Sequence, residues 1–258
     1  MDDAGSAEGV STGAVLRQVR SLWPVLLGMG LLLTALGLVL VLIYYQTDVN
    51  PHHLVADPHE IAFLPEYVGM YSYAGVLLLW TAGIVSILTG VIVRGRGEPG
   101  RFFAFHLTLG LLLCLLAIDD LFMLHEWAGL IMAEAINAED VGFERSRLEA
   151  IVFAGIGLLW LAWIARFWRT ILRTEYVLLG FGMIAFGASI ALDLGGYVFP
   201  ALEPESVQRR LFLALLEEMM KMTGILLMLA YTWRIGLNRL RSVVDEPTPH
   251  KLATGGEA

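Results

Sequence analysis

The sequence predicts an all-α, polytopic membrane protein: a bundle of six transmembrane helices with both chain ends on the cytoplasmic side. Three observations carry this. Mean hydropathy is +0.68, with 57% hydrophobic and only 16% charged residues, a balance that soluble domains do not show. Six apolar stretches, approximately 23–45, 67–93, 102–127, 149–168, 176–199 and 211–234, can each cross a hydrocarbon core of about 30 Å, which takes about 20 helical residues. Arginine and lysine are sorted by side. Arg17, Arg20, Arg94, Arg96, Arg101, Arg166, Arg169, Arg173, Arg234, Arg239, Arg241 and Lys251 fall on one side of such a bundle, against Arg145, Arg147, Arg209 and Arg210 on the other. By the positive-inside rule the richer side is cytoplasmic, and the expected location is the cell membrane.

The elements follow in order. Residues 1–22 are polar, with three acids and two arginines. They lack the basic start and small-residue cleavage site of a signal peptide, so the first span is expected to be retained. The membrane domain covers 23–241, and 242–258 reads as a disordered cytoplasmic tail. The links RGRGEPGR and RTILRTE are short, which makes spans 2 and 3, and spans 4 and 5, antiparallel neighbours. The longer connections, 46–66 and 128–148, lie outside. The first holds three prolines and three histidines and should be irregular. The second could extend the third helix or lie at the interface as an amphipathic piece. Tyrosines cluster near the outer boundary, while Trp160, Trp163, Trp168 and Trp233 fall toward the inner one as an aromatic belt would.

Composition also excludes. A net charge of −8 without a basic block does not suit nucleic acid, so the expected partners are membrane lipids. Cys114 is the single cysteine, which rules out a disulfide within the chain and a cysteine-based zinc site.

Eight ionisable residues interrupt or edge the apolar stretches: Asp119, Asp120, His125 and Glu126 in LLLCLLAIDDLFMLHEW, Asp193 in SIALDLGGY, and Glu217, Glu218 and Lys221 in LALLEEMMKMTG. A charge in hydrocarbon costs at least about 2.5–3.5 kcal/mol, so such residues face a partner, water or a ligand. At 1.5 Å per residue Asp119 and Asp120 fall roughly 10–12 Å below the outer end of span 3, Asp193 roughly 9 Å below that of span 5, and Glu217 and Glu218 roughly 9–10 Å below that of span 6. Three helices thus bring carboxylates to one level, and a single shared site is the economical reading. Phase refines it. Glu217 and Glu218 both reach Lys221, at i, i+4 and i, i+3. On an unbroken span 3, Asp119 and Glu126 share a face, with Asp120 and His125 about 100° to either side.

Plainer readings stand beside each residue. Glu217 and Lys221 could be a neutralising pair that lets span 6 insert, Asp193 could cap a helix broken at Gly195 and Gly196, and His125 and Glu126 could be solvated at the interface. His106 reads as a packing histidine. On the chemical side, carboxylates with histidine suit zinc, manganese or iron, and an open position on such a metal activates water. In that reading Asp119, Asp120, His125 and Glu217 are the metal ligands, and His52, His53 and His59 of the first external loop could join them. Acids around a buried lysine equally suit proton or cation coupling, although no repeat marks an inverted-repeat carrier. A chromophore-bearing lysine at Lys221 is disfavoured by six spans and by the adjacent glutamates.

The sequence Glu217-Glu218-Met-Met-Lys221 resembles the EExxK signature of PrsW-type intramembrane proteases and is similar to the EExxxR signature of the CAAX-protease group. The resemblance covers five of 258 residues. It implies that Glu217 and Glu218 are catalytic in a water-activating, metal-dependent or glutamate-based hydrolytic site, with Lys221 orienting them. Those families carry further motifs on helices after the glutamate pair. Here no apolar helix follows span 6 and DDLFMLHE precedes the pair, so the fold is not carried over. DDxFxxHE combined with a later EExxK also resembles a group of bacterial multi-pass membrane proteins. The leading expectation is therefore a divalent-metal-dependent hydrolase working within the membrane or at its surface, with Glu126 and Asp193 as further buried polar groups. The rivals are a proton- or cation-coupled carrier or channel, and a non-catalytic scaffold or sensor.

Overall fold

The computed structural model describes residues 11–46, 69–136, 145–198 and 207–245. They form helices α1 (Thr12–Gln46), α2 (Met70–Gly95), α3 (Gly100–Phe122), α4 (Leu124–Ala135), α5 (Arg145–Ile171), α6 (Tyr176–Val198) and α7 (Val207–Asp245), and no strand occurs among the described residues. Five stretches are long and apolar enough to cross a membrane: Thr12–Val39, Tyr71–Gly95, Gly100–Phe122, Leu148–Ile171 and Tyr176–Leu194. They coincide with the first five predicted spans, and the architecture is that of an all-helical, multi-pass membrane protein. The sixth prediction falls on α7. At 39 residues α7 is the longest helix described, but Glu217, Glu218 and Lys221 interrupt its apolar run.

Two differences from the sequence reading have local causes. Residues 12–22 are already helical, because α1 begins at Thr12, where the Ser11 hydroxyl accepts a hydrogen bond from the Ala14 N–H at 3.2 Å as an N-cap does. The predicted third span is two helices. It breaks at Met123, whose φ of 51° lies in the left-handed region, so α4 is a separate helix and the 102–127 register does not continue across the break.

α7 is the spine of the bundle. It packs along α6 and α2, while α2 packs most extensively against α3 and α5 lies against α4 and α6. The α2–α3 crossing is close because it is built from glycine. A Cβ on Gly110 would sit 2.6 Å from the Gly83 carbonyl oxygen, and one on Gly83 would sit 2.6 Å from Cys114 Sγ. Small residues let helix backbones approach in this way, which is how membrane helices gain packing where no water drives them together. Between these helices and α7 lies a core of Leu79, Ala82, Phe105, Leu109, Leu113, Ile225, Met228 and Tyr231.

Two of the four tryptophans read as an aromatic belt are instead core residues. Trp160 and Trp163 are buried, while Trp168 and Trp233 are about half exposed. Trp163 stacks on Phe105 and its indole N–H donates to Thr108 Oγ1 at 2.9 Å, a partner that makes burial of the polar ring atom tolerable. His106 is buried as a packing residue, with its ring edge-on to Phe105.

The two short turns lie at one end and are tied to the last part of α7. Arg239 pairs with Glu98 and Arg234 with Glu175, each at 3.1 Å, and Arg96 donates to Ser242 Oγ at 2.7 Å. Gly97, at φ 72°, supplies the left-handed residue that ends α2. At the same end Gln18 of α1 donates to the Thr174 carbonyl and accepts from the Val177 N–H, both at 3.2 Å, and Leu22 is wholly buried. Beyond this anchor α1 turns Trp23, Leu27, Leu31 and Leu38 outward, as a lipid-facing helix would.

Candidate functional site

Away from the turn end, helices α2, α3, α4, α5, α6 and α7 line a partly open cavity of about 140 Å³. At roughly 30 Å³ per water this is room for four or five water molecules. Asp119, Asp120, His125, Glu126, Asp193, Glu217, Glu218 and Lys221 all line it. The structure therefore brings together all eight ionisable residues singled out above. His52, His53 and His59 lie outside the described residues.

The position of each group follows from its helix. Lys221 Nζ lies 2.8 Å from Glu218 Oε1, one turn earlier on α7, and 3.0 Å from Asp120 Oδ1 on α3. The lysine thus bridges two helices rather than neutralising Glu217 alone. All three side chains are largely shielded, at 18%, 10% and 18% exposure for Lys221, Glu218 and Asp120. Such an ammonium is sustained only by close carboxylates, since burying an unpaired charge costs several kcal/mol. The second oxygen of Asp120 is buried and accepts no hydrogen bond among the described residues.

The break at Met123 builds the other half of the site. The α3 ladder ends with the Met123 N–H donating to the Asp119 carbonyl, and α4 opens with the Trp127 N–H donating to the Met123 carbonyl at 3.1 Å. The first N–H groups of α4 have no partner within their own helix. Asp119 supplies one: Oδ1 accepts from the His125 N–H at 2.9 Å, while Oδ2 lies 3.1 Å from His125 Nδ1. With the hydrogen on Nδ1, the carboxylate fixes the ring and leaves Nε2 as the basic nitrogen. The ring also packs on Phe153 of α5, with centroids 4.5 Å apart. On one continuous helix Asp119 and His125 would point about 120° apart. The break makes them partners.

Sequence reading missed the rest of the wall. Ser189 is buried one turn before Asp193 on α6, and Phe153, Phe186, Leu79, Leu116, Ile190 and Ile225 supply apolar surface. Ser189 had a signal, its i, i+4 spacing to Asp193. The apolar residues had none, because in a membrane chain they resemble every other lipid-compatible residue. Among the described residues no three of the His, Cys, Asp and Glu side chains converge as a metal site.

The fold and the cavity define the class: a multi-pass helical membrane protein with an acid-lined internal site. Residues 26–235 match the family described as Domain of unknown function (DUF8692), and the chain belongs to it. That match takes in every residue that lines the cavity. No curated protein and no solved structure is similar to the chain.

Proposed function

We propose that this protein crosses the membrane six times with both termini cytoplasmic, and that its cavity binds protons or a small cation as part of proton- or cation-coupled transport. One observation carries the reading. The cavity is lined by six carboxylates against one lysine and one histidine, a formal excess of five negative charges when His125 is neutral. Six carboxylates converging on one cavity beside a single lysine and a single histidine supply acceptor oxygens that can take up protons or hold a small cation. α7 serves as the sixth span because Glu218 is buried and Lys221 is largely shielded, so its charges face the bundle. The uneven distribution of arginines supports this orientation, in which the cavity opens toward the outer face.

The EExxK resemblance supports a hydrolase built from the same residues. It stands second because it rests on a motif of five residues, whereas the acidic composition of the whole cavity lining bears on proton or cation uptake. The test is reconstitution of the full chain into vesicles that trap a pH-sensitive dye. An imposed proton or sodium gradient is expected to dissipate faster with the wild type than with Glu217→Gln or Asp120→Asn. Vesicles without flux, together with metal-dependent cleavage of lipid or peptide that Glu217→Gln abolishes, would replace the transport reading with the enzymatic one. Silence in both assays would leave a scaffold or sensor.

A further inference from the structure

The one non-glycine residue with positive φ among those described is Met123, at the joint between the two helices that supply four of the eight ionisable cavity residues. Nothing in the local sequence asks for a break there. Residues 111–128, LLLCLLAIDDLFMLHEWA, contain no glycine or proline and are rich in strong helix formers. Methionine in the left-handed region is strained relative to a helical one. A strained residue persists only where its surroundings determine it, and here two contacts do so. Asp119 ties both helices, its carbonyl closing α3 and its carboxylate capping α4 at the His125 N–H. On the far side α4 docks on α5, where a Cβ on Gly129 would meet Glu149 Cγ at 2.7 Å.

We propose that the α3–α4 joint is a hinge with two settings, broken and continuous, and that the Asp119 carboxylate is the latch of the broken setting. The settings differ in what they present to the cavity. In the broken setting His125 is held against Asp119 at 3.1 Å. In the continuous setting the ring points about 120° away from Asp119, while Glu126, seven residues on, returns to its face. The joint thereby exchanges a histidine for a glutamate beside Asp119. The other ionisable groups lining the same cavity are Asp120 on α3, Glu126 on α4, Asp193 on α6, and Glu217, Glu218 and Lys221 on α7. The hinge does not depend on whether the cavity moves cations or hydrolyses a substrate.

The test is a spin-label distance across the joint in the full chain held in lipid nanodiscs. Labels go on Leu111→Cys and Ile131→Cys, both exposed positions, in a Cys114→Ala background. A continuous helix sets their Cα atoms about 30 Å apart, and the broken setting is shorter. Asp119→Leu, which removes the cap, is expected to raise the ratio of long to short distances roughly five- to tenfold. Met123→Val, a β-branched residue in a left-handed position, should shift it in the same direction. Met123→Gly removes the strain and should restore the short distance when combined with Asp119→Leu. Where Asp119→Leu fails to fold, Asp119→Asn, which keeps one acceptor oxygen, should give an intermediate ratio. A wild-type distance distribution in both Met123→Val and the folded Asp119 variant would overturn the proposal.

Discussion

Replacing Lys221 by methionine tests the electrostatics of the cavity most directly. The change keeps the length and most of the apolar stem but deletes an ammonium 2.8 Å from Glu218 and 3.0 Å from Asp120. Two largely shielded carboxylates on different helices then face each other without their shared counter-charge. Removing one partner of a buried ion pair typically costs about 3–5 kcal/mol, most of it the penalty of the uncompensated charge. Asp120→Asn alone should cost less, because Glu218 still holds the lysine. The double variant is the decisive one. With Asp120 already neutral, loss of Lys221 strands one carboxylate instead of two, so the double should be more stable than the sum of the singles implies by about 1–3 kcal/mol. Unfolding midpoints in one detergent, followed by tryptophan fluorescence, measure all four corners of the cycle. Additive losses would refute the reasoning, since they would mean that Lys221 and Asp120 do not interact across α3 and α7.

Other outcomes follow from packing and backbone. Gly110→Leu should destabilise by about 1–3 kcal/mol, because its side chain meets the Gly83 carbonyl and Ile87, whereas Gly155→Leu, which meets nothing within 4 Å, should cost nothing measurable; the same midpoints separate them. Trp163→Phe keeps the stack on Phe105 but loses the bond to Thr108, for an expected loss of about 1 kcal/mol. Gly97→Ala places a Cβ at φ 72° and should cost about 1–2 kcal/mol, visible as faster amide exchange in the α2–α3 turn.

The helical class and the membership of the site were legible in the sequence for the same reason. Hydrocarbon tolerates charges only where they face inward, so depth along each span put Asp193, Glu217 and Glu218 at one level, and Asp119 and Asp120 with them on an assumed end at residue 127 that the break at Met123 removes. The partnerships were not legible. Helical phase paired Lys221 with both glutamates of its own helix, yet its second carboxylate, Asp120, comes from α3, and interhelical register leaves no trace in a single chain. The break at Met123 was hidden more deeply. Residues 102–127 carry every mark of one helix, and the tertiary setting overrides it through the Asp119 cap and the docking of α4 on α5. That one override also converts Asp119 and His125 from residues on different faces into a hydrogen-bonded pair. The buried tryptophans show the same limit. An indole reads as interfacial in sequence, and only the neighbouring Thr108 hydroxyl explains why Trp163 is inside.

The cavity wall separates the two cargoes that the proposed transport allows. Protons neutralise carboxylates without a coordination shell of their own, so a site that takes up protons needs only a hydrogen-bonded path of side chains and waters. A metal or alkali cation needs that space for itself and for the waters that complete its shell, and about 140 Å³ provides it. Ser189 is the residue on which to separate them. It is buried in the wall one turn from Asp193, carries no charge, and has a side chain small enough that leucine would fill the space in front of it. Ser189→Leu therefore leaves the six carboxylates, Lys221 and His125 in place while shrinking what they enclose. If the cargo is a proton, proton flux into vesicles should fall less than metal-cation flux does, because a thread of waters fits where a solvated ion does not. If the cargo is a hydrated cation, sodium or divalent-cation flux should fall at least tenfold, a barrier change of about 1.4 kcal/mol. Unchanged flux of a metal cation through Ser189→Leu would show that such ions pass elsewhere and would remove the cavity from the transport path.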